Sequence, residues 1–168
     1  MDHWNSVGGI VHRNPQNTIM KEKIVILGAG ESGRGTAVLA KKEGFEVFVS
    51  DQGSISLSTK KMFDRLEVEW EENQHTLSKM SNANYIMKSP GIPSDTALLQ
   101  SLQEQKIPLI SEIEFASRFT NATLIGITGS NGKTTTAMMT YQILKNAGYD
   151  VALAGNIGNS FAQEVAEN

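Results

Sequence analysis

The sequence predicts an α/β protein: a Rossmann-like parallel-sheet domain followed by the opening of a P-loop domain. Three observations carry this. An apolar strand, KIVIL from Lys23 to Leu27, runs into Gly28-Ala29-Gly30-Glu31-Ser32-Gly33, a complete G-x-G-x-x-G, the turn that opens a helix against a phosphate. Asp51 ends the next β-branched run, 18 residues after Gly33, where dinucleotide-binding folds hold a ribose hydroxyl. Residues 124–136, LIGITGSNGKTTT, repeat the plan of strand, glycine loop and helix. Such a loop turns N–H groups toward an anion at the positive end of a helix dipole.

Composition bounds the rest. The chain has 168 residues, 39% apolar and 20% charged, values of a globular protein with a real core. A net charge of -3 gives no attraction to nucleic acid or membrane. With no cysteine, disulfides and thiolate metal sites are excluded, which suits a reducing cytoplasm. No apolar run approaches the ~18 residues of a membrane span. Residues 1–19 are polar and aperiodic, lack a signal-peptide core, and read as a flexible arm ahead of a start at Met20. His3 and His12 in that arm are expected to be solvated.

The elements follow in order. After the first glycine loop, Ala37, Val38, Leu39 and Ala40 mark a helix stopped by Gly44. Residues 46–50, EVFVS, form the second strand, so residues 23–51 make a βαβ unit. Leu57, Met62, Phe63 and Leu66 have helical spacing, and Val68 and Trp70 suit a short strand. Residues 84–87, NYIM, form a strand that ends in Lys88-Ser89-Pro90-Gly91-Ile92-Pro93. Proline and glycine break regular structure there, at the strand ends where an open α/β sheet keeps its ligand crevice. A plain turn explains the same residues. Ser94 should cap a helix carrying Ala97, Leu98, Leu99 and Leu102; residues 108–110 suit a strand and 112–119 a final helix. Glu112 and Glu114, two residues apart, cannot share a helix face, so solvation is expected for at least one. Residues 120–122 make a polar joint, which divides the chain into domains at 20–120 and 121–168.

In the second unit, residues 124–127 should be a strand, followed by a helix with Met138, Tyr141, Ile143 and Leu144, closed by Gly148. Lys133 would reach β- and γ-phosphates and the Thr134 hydroxyl would hold Mg²⁺. The spacing is unusual: G-x-x-x-x-G-K-[ST] needs glycine at Ile127, whereas the glycines stand at Gly126 and Gly129. Residues 151–154 suit another strand, and Gly155-Asn156-Ile157-Gly158 a turn before a last helix at 160–166. Two strands cannot make a covered parallel sheet. No further acid for Mg²⁺ and no general base stands out, so the chain reads as a truncated, catalytically inactive piece of a longer enzyme.

In order and spacing, ILGAGESGRG, VSD, KSPGIP, SEIEF, GITGSNGKTT and GNIG resemble the Mur ligase family, from Lys23 to Gly158. The off-register glycine of TGSNGKTT is typical of these ligases and their folylpolyglutamate relatives. GAGESG with SEIEF points to the D-glutamate-adding branch. The resemblance implies a Rossmann-like domain for the UDP part of the substrate, a central ATPase domain, and a third domain for the amino acid. It implies UDP-N-acetylmuramoyl-L-alanine and D-glutamate as substrates and ATP and Mg²⁺ as cofactors. By position, Glu31, Ser32, Asp51, Ser89, Pro90, Gly91 and Asn156 would contact the UDP-sugar, with Asp51 near the uracil. Gly129, Ser130, Asn131, Gly132, Lys133, Thr134 and Thr135 would cradle ATP, Lys133 stabilising the transferring phosphoryl group and Thr134 holding the metal. Gln52 and Gly53 depart from the hydroxyl and basic residues that relatives often place after the acid. Two other readings remain open: an NAD-dependent Rossmann oxidoreductase, which leaves residues 129–135 unexplained, and a non-catalytic nucleotide-binding module.

Overall fold

A computed structural model describes residues 21–93, 96–155 and 157–168. The expected arm at 1–19 and Ser94, the expected helix cap, lie outside the described residues. Five strands, β1 (Lys23–Leu27), β2 (Glu46–Asp51), β3 (Glu69–Glu72), β4 (Tyr85–Lys88) and β5 (Leu109–Ile110), form one sheet in the order β3-β2-β1-β4-β5. Every pairing is parallel. The α/β expectation is met, and the strand order reverses direction between β1 and β4, which makes their C-terminal ends the topological switch point.

Alternation along β1 explains the layers. Ile24 and Ile26 pack with Ala37, Leu39 and Ala40 of α1 (Glu31–Lys42), Phe63 of α2 (Leu57–Arg65) and Phe115 of α4 (Glu112–Ala116). Val25 and Leu27 face the other way, against Leu99 and Leu102 of α3 (Ala97–Glu104), with Phe48, Met80 and Ile86. A buried strand with both faces covered needs this unbroken apolar run. Helix ends are satisfied locally. Ser56 accepts from the Thr59 N–H at 3.2 Å and Ser111 from the Glu114 N–H at 3.1 Å; Thr96 caps α3, accepting from the Leu99 N–H at 3.3 Å. Near the start of β2 and β4, Phe45 packs edge-on to Tyr85, Phe115 and Phe119, with centroids 5.6 Å apart for Phe45 and Phe115. This cluster fixes α4 and the 3-10 turn Ser117–Phe119 that follows it, so the helix expected over 112–119 ends early.

Two other expectations fail. Residues 124–127 form no strand, and 151–154 contribute only an isolated bridge from Ala154 to Asn159. Leu124 and Ile125 are more than half exposed. A strand exists only through hydrogen bonds to a neighbour, and among the described residues neither run has one. The helix α5 (Lys133–Asn146) forms as expected but buries none of its residues. The last helix, α6 (Phe161–Glu167), behaves differently: its Ala162 and Ala166 are buried in the same core cluster as α1 and α4.

Candidate functional site

The first glycine loop closes the C-terminal end of β1. Gly28 has φ +96° and donates its N–H to the Ser50 carbonyl at 2.9 Å. Gly33 must be glycine for a different reason: a Cβ there would stand 1.9 Å from the Gly28 carbonyl oxygen, so its hydrogen lets α1 sit on the loop. Gly30 has ordinary angles, φ -70°, as the N-cap of α1, and a Cβ there would meet nothing within 4 Å. Glu31 is exposed and Ser32 half-buried at the helix opening.

Asp51 closes the loop from β2. Its Oδ2 accepts the Ala29 N–H at 2.6 Å and its Oδ1 the Gly53 N–H at 2.7 Å. The acid that spacing assigned to a ligand therefore clasps two backbone turns at the mouth of the crevice. From β4 comes the Ser-Pro-Gly turn. The Ser89 N–H bonds the Leu27 carbonyl at 3.0 Å, and the Ile92 N–H returns to the Ser89 carbonyl at 3.1 Å. The Lys88 ammonium holds the turn through the Ile92 carbonyl at 2.6 Å. A Cβ on Gly28 would lie 2.7 Å from Ser89 Oγ, so the two loops touch across the switch point. Ser89 Oγ is buried with no hydrogen-bond partner among the described residues. Pro90 and Gly91 stand exposed at the tip. Asp51 and Ser89 thus both meet the first glycine loop, at Ala29 and Gly28.

Beside Asp51 lies a polar cluster that sequence spacing did not reveal. Ser50 is fully buried; its hydroxyl donates to Glu71 Oε1 at 2.7 Å and meets His75 Nδ1 at 2.7 Å. The Thr76 N–H also donates to Glu71 Oε1, at 2.7 Å. Burial pushes the Glu71 carboxyl up, but bonds from Thr76 and Ser50 outweigh it and hold the group below its ordinary value. Burial likewise pushes the His75 imidazole below its ordinary value, against the charges of Glu71 and Asp51. With Glu71 ionised, Ser50 donates to it, so His75 donates to Ser50 from Nδ1.

The second loop is built as expected locally. Gly129 has φ +145° and Gly132 φ +77°, and α5 starts at Lys133. Residues 129–135 are exposed. The Lys133 ammonium folds back onto the Gly129 carbonyl and the Ser130 carbonyl, the latter at 3.3 Å. Thr134 stands exposed in the first turn of α5. That fits one ligand of a phosphate-held Mg²⁺, and among the described residues no group of three His, Cys, Asp or Glu side chains could hold a metal ion. Asn156 lies outside the described residues. Its neighbours form a tight turn: the Gly155 N–H bonds the Asn159 carbonyl at 3.0 Å, and a Cβ on Gly158 would stand 2.5 Å from the Leu153 carbonyl oxygen.

Of the paired glutamates, Glu114 is solvated and bridges Arg118 at 3.2 Å, while Glu112 is only 8% exposed. No helix of the described residues is long and apolar enough to cross a membrane.

Comparison with known proteins places two stretches of the chain in one family. Residues 23–98 match the MurD N-terminal domain and residues 127–168 the Mur ligase middle domain. The UDP-N-acetylmuramoylalanine--D-glutamate ligase of Bacteroides fragilis is 55% identical over 146 residues, 87% of this chain and 33% of the relative. The enzyme of the same name from Christiangramia forsetii is 52% identical over 148 residues, again 33% of its length. The chain thus spans about a third of the curated relatives it matches. A pseudomurein peptide ligase type C from Methanothermus fervidus is similar in structure, with a TM-score of 0.53 and 30% identity over 76% of this chain and 27% of that one. A murein peptide ligase from Psychrobacter arcticus gives a TM-score of 0.56 and 25% identity over 80% and 28%.

Proposed function

Because this chain belongs to the Mur ligase family, we propose that it serves the ATP-dependent addition of D-glutamate to UDP-N-acetylmuramoyl-L-alanine, a step of peptidoglycan precursor synthesis in the cytoplasm. In this reading residues 20–120 hold the UDP-sugar and residues 121–168 begin the ATP-binding domain. The supporting observation is the switch-point crevice, where the first glycine loop, the Asp51 clasp and Ser89 meet. Relatives 52–55% identical over this stretch carry that activity in their names.

The residues divide the work. The open face of Gly30 lets the diphosphate approach backbone N–H groups at the start of α1, where the helix dipole favours anions. Ser89 Oγ, buried and without a hydrogen-bond partner among the described residues, is free to contact the UDP-sugar. Asp51 orients the loop and faces the uracil. In the second loop, the Lys133 ammonium moves from the loop carbonyls to phosphate oxygens and offsets charge on the transferring group. Thr134 contributes one oxygen to the metal. ATP, when bound, would supply the phosphoryl group that activates the substrate carboxylate as an acyl phosphate, from whose acyl carbon the D-glutamate amine would displace inorganic phosphate to form the amide. An NAD-dependent dehydrogenase is the weaker reading. Both Asp51 oxygens already accept backbone N–H groups, which leaves less for the paired ribose hydroxyls of a dinucleotide.

Calorimetric titration with UDP-N-acetylmuramoyl-L-alanine, NAD⁺ and Mg-ATP in parallel tests the assignment. Saturable UDP-sugar binding is expected. Binding of NAD⁺ without the UDP-sugar would overturn the reading of the first domain.

A further inference from the structure

Helix α6 follows the P-loop unit in sequence yet is held by the first domain at both ends. Glu112 Oε1 accepts the Ala162 N–H at 2.9 Å, a buried bond across fifty residues of chain. At the other end, the Lys42 ammonium donates to the Ala166 carbonyl at 2.6 Å. A carboxylate at the N-terminus and an ammonium at the C-terminus both complement the helix dipole. Between them α1 and α6 approach so closely that a Cβ on Gly35 would lie 2.0 Å from Ser160 Oγ and 2.9 Å from the Gln163 nitrogen. Ser160 itself caps α6 through the Gln163 N–H at 3.2 Å. Just upstream, Asn159 closes the tight turn through the Gly155 N–H. As a result Asn159 and Ser160 line one cavity of about 250 Å³ with Glu31 and Arg34, at the opening of α1 beside the first glycine loop.

We propose that Glu112 is a positioning residue for the sugar-bearing half of the substrate: by fastening α6 to α4, and so holding it against α1, it sets Asn159 beside the first glycine loop, so that both grip the ligand as one site. This rests on the reading under Proposed function. Glu112 acts through α6 and touches no substrate. UDP alone is held by the crevice at β1, β2 and β4. The sugar and its alanine reach toward the α1–α6 cavity and depend on the fastening.

The test compares UDP with UDP-N-acetylmuramoyl-L-alanine by calorimetry on the chain and on three variants. Affinity for the UDP-sugar should fall about tenfold in Glu112→Ala, which loses a buried charge-assisted bond, and independently in Gly35→Ala, whose new Cβ would press α6 off α1. Affinity for UDP should stay unchanged, and Glu112→Gln, which keeps an acceptor oxygen, should recover most of the loss. Unchanged UDP-sugar affinity in both disrupted variants overturns the proposal. So does parallel loss of UDP and UDP-sugar, which assigns Glu112 to the fold alone. A parent chain that binds neither ligand instead removes the functional reading, and the proposal with it.

Discussion

Two glycines of the first loop should fail in opposite ways when each becomes alanine. At Gly33 the new Cβ would lie 1.9 Å from the Gly28 carbonyl oxygen and 3.0 Å from its carbon, with Ile26 Cγ2 at 3.4 Å behind. The obstacle is backbone, pinned by the Gly28 N–H to the Ser50 carbonyl and by Asp51 on Ala29. Reaching a 3.0 Å contact moves α1 away by about 1.1 Å, an overpacking shift that costs about 3 kcal/mol. For a domain of this size that lowers Tm by roughly 12 °C or more. At Gly30 a Cβ meets nothing within 4 Å and φ is -70°. Alanine is a poorer N-cap than glycine but loses less chain entropy, so the two effects cancel to within about 0.5 kcal/mol. Its cost should appear in binding, because a methyl group there stands between the backbone and a diphosphate. Thermal unfolding by circular dichroism gives the first quantity and UDP titration the second. Equal loss of Tm in the two variants, or a Gly33→Ala chain as stable as its parent, would refute the reasoning.

Acid should weaken the fold in two stages. The folded His75 lies below its ordinary value of 6.5, so its contribution is complete above that pH and is lost as pH falls through the folded value. Glu71, held below 4.5, contributes fully above 4.5 and is lost as pH falls further. Urea midpoints measured against pH should show both stages; His75→Gln should remove the upper one, and an unaltered upper stage would discount the cluster. Asp51→Ala should cost about 1.5–3 kcal/mol by leaving the Ala29 and Gly53 N–H groups without their charged acceptor, with Asp51→Asn costing less. Denaturant midpoints of the two variants check this, and a wild-type midpoint for Asp51→Ala would exclude the clasp.

The part of the site at the first sheet was legible where local signals agree with one another. The apolar run of β1, the glycines after it and the acid ending β2 each imply the same βαβ unit, and the structure builds it. Legibility stopped where the partner is distant. The runs at 124–127 and 151–154 look like strands because their side chains suit a sheet, but a strand also needs a neighbour, which composition does not report. Glu112 was half-read: its spacing from Glu114 separated the two carboxylates without revealing which one is buried. Its partner, Ala162, offers only a backbone N–H, which no residue pattern marks. The Ser50–Glu71–His75 cluster was missed for the same reason, since the register of β2 on β3 sets Ser50 beside Glu71 and the turn after β3 returns His75 to Ser50.

The order of the chain and the order of its packing differ after residue 120. The apolar side chains Met138, Met139 and Ile143 of α5 stay more than half exposed, so α5 forgoes the ~1.5–3 kcal/mol that burial of each would contribute. A helix of 14 residues held by its own hydrogen bonds is marginal. Helix α6, half as long, is fixed by burial of two alanines and by charges at both ends. Among the described residues, the buried contact that the segment after 120 makes with the first core therefore comes from its last helix, not from the phosphate loop.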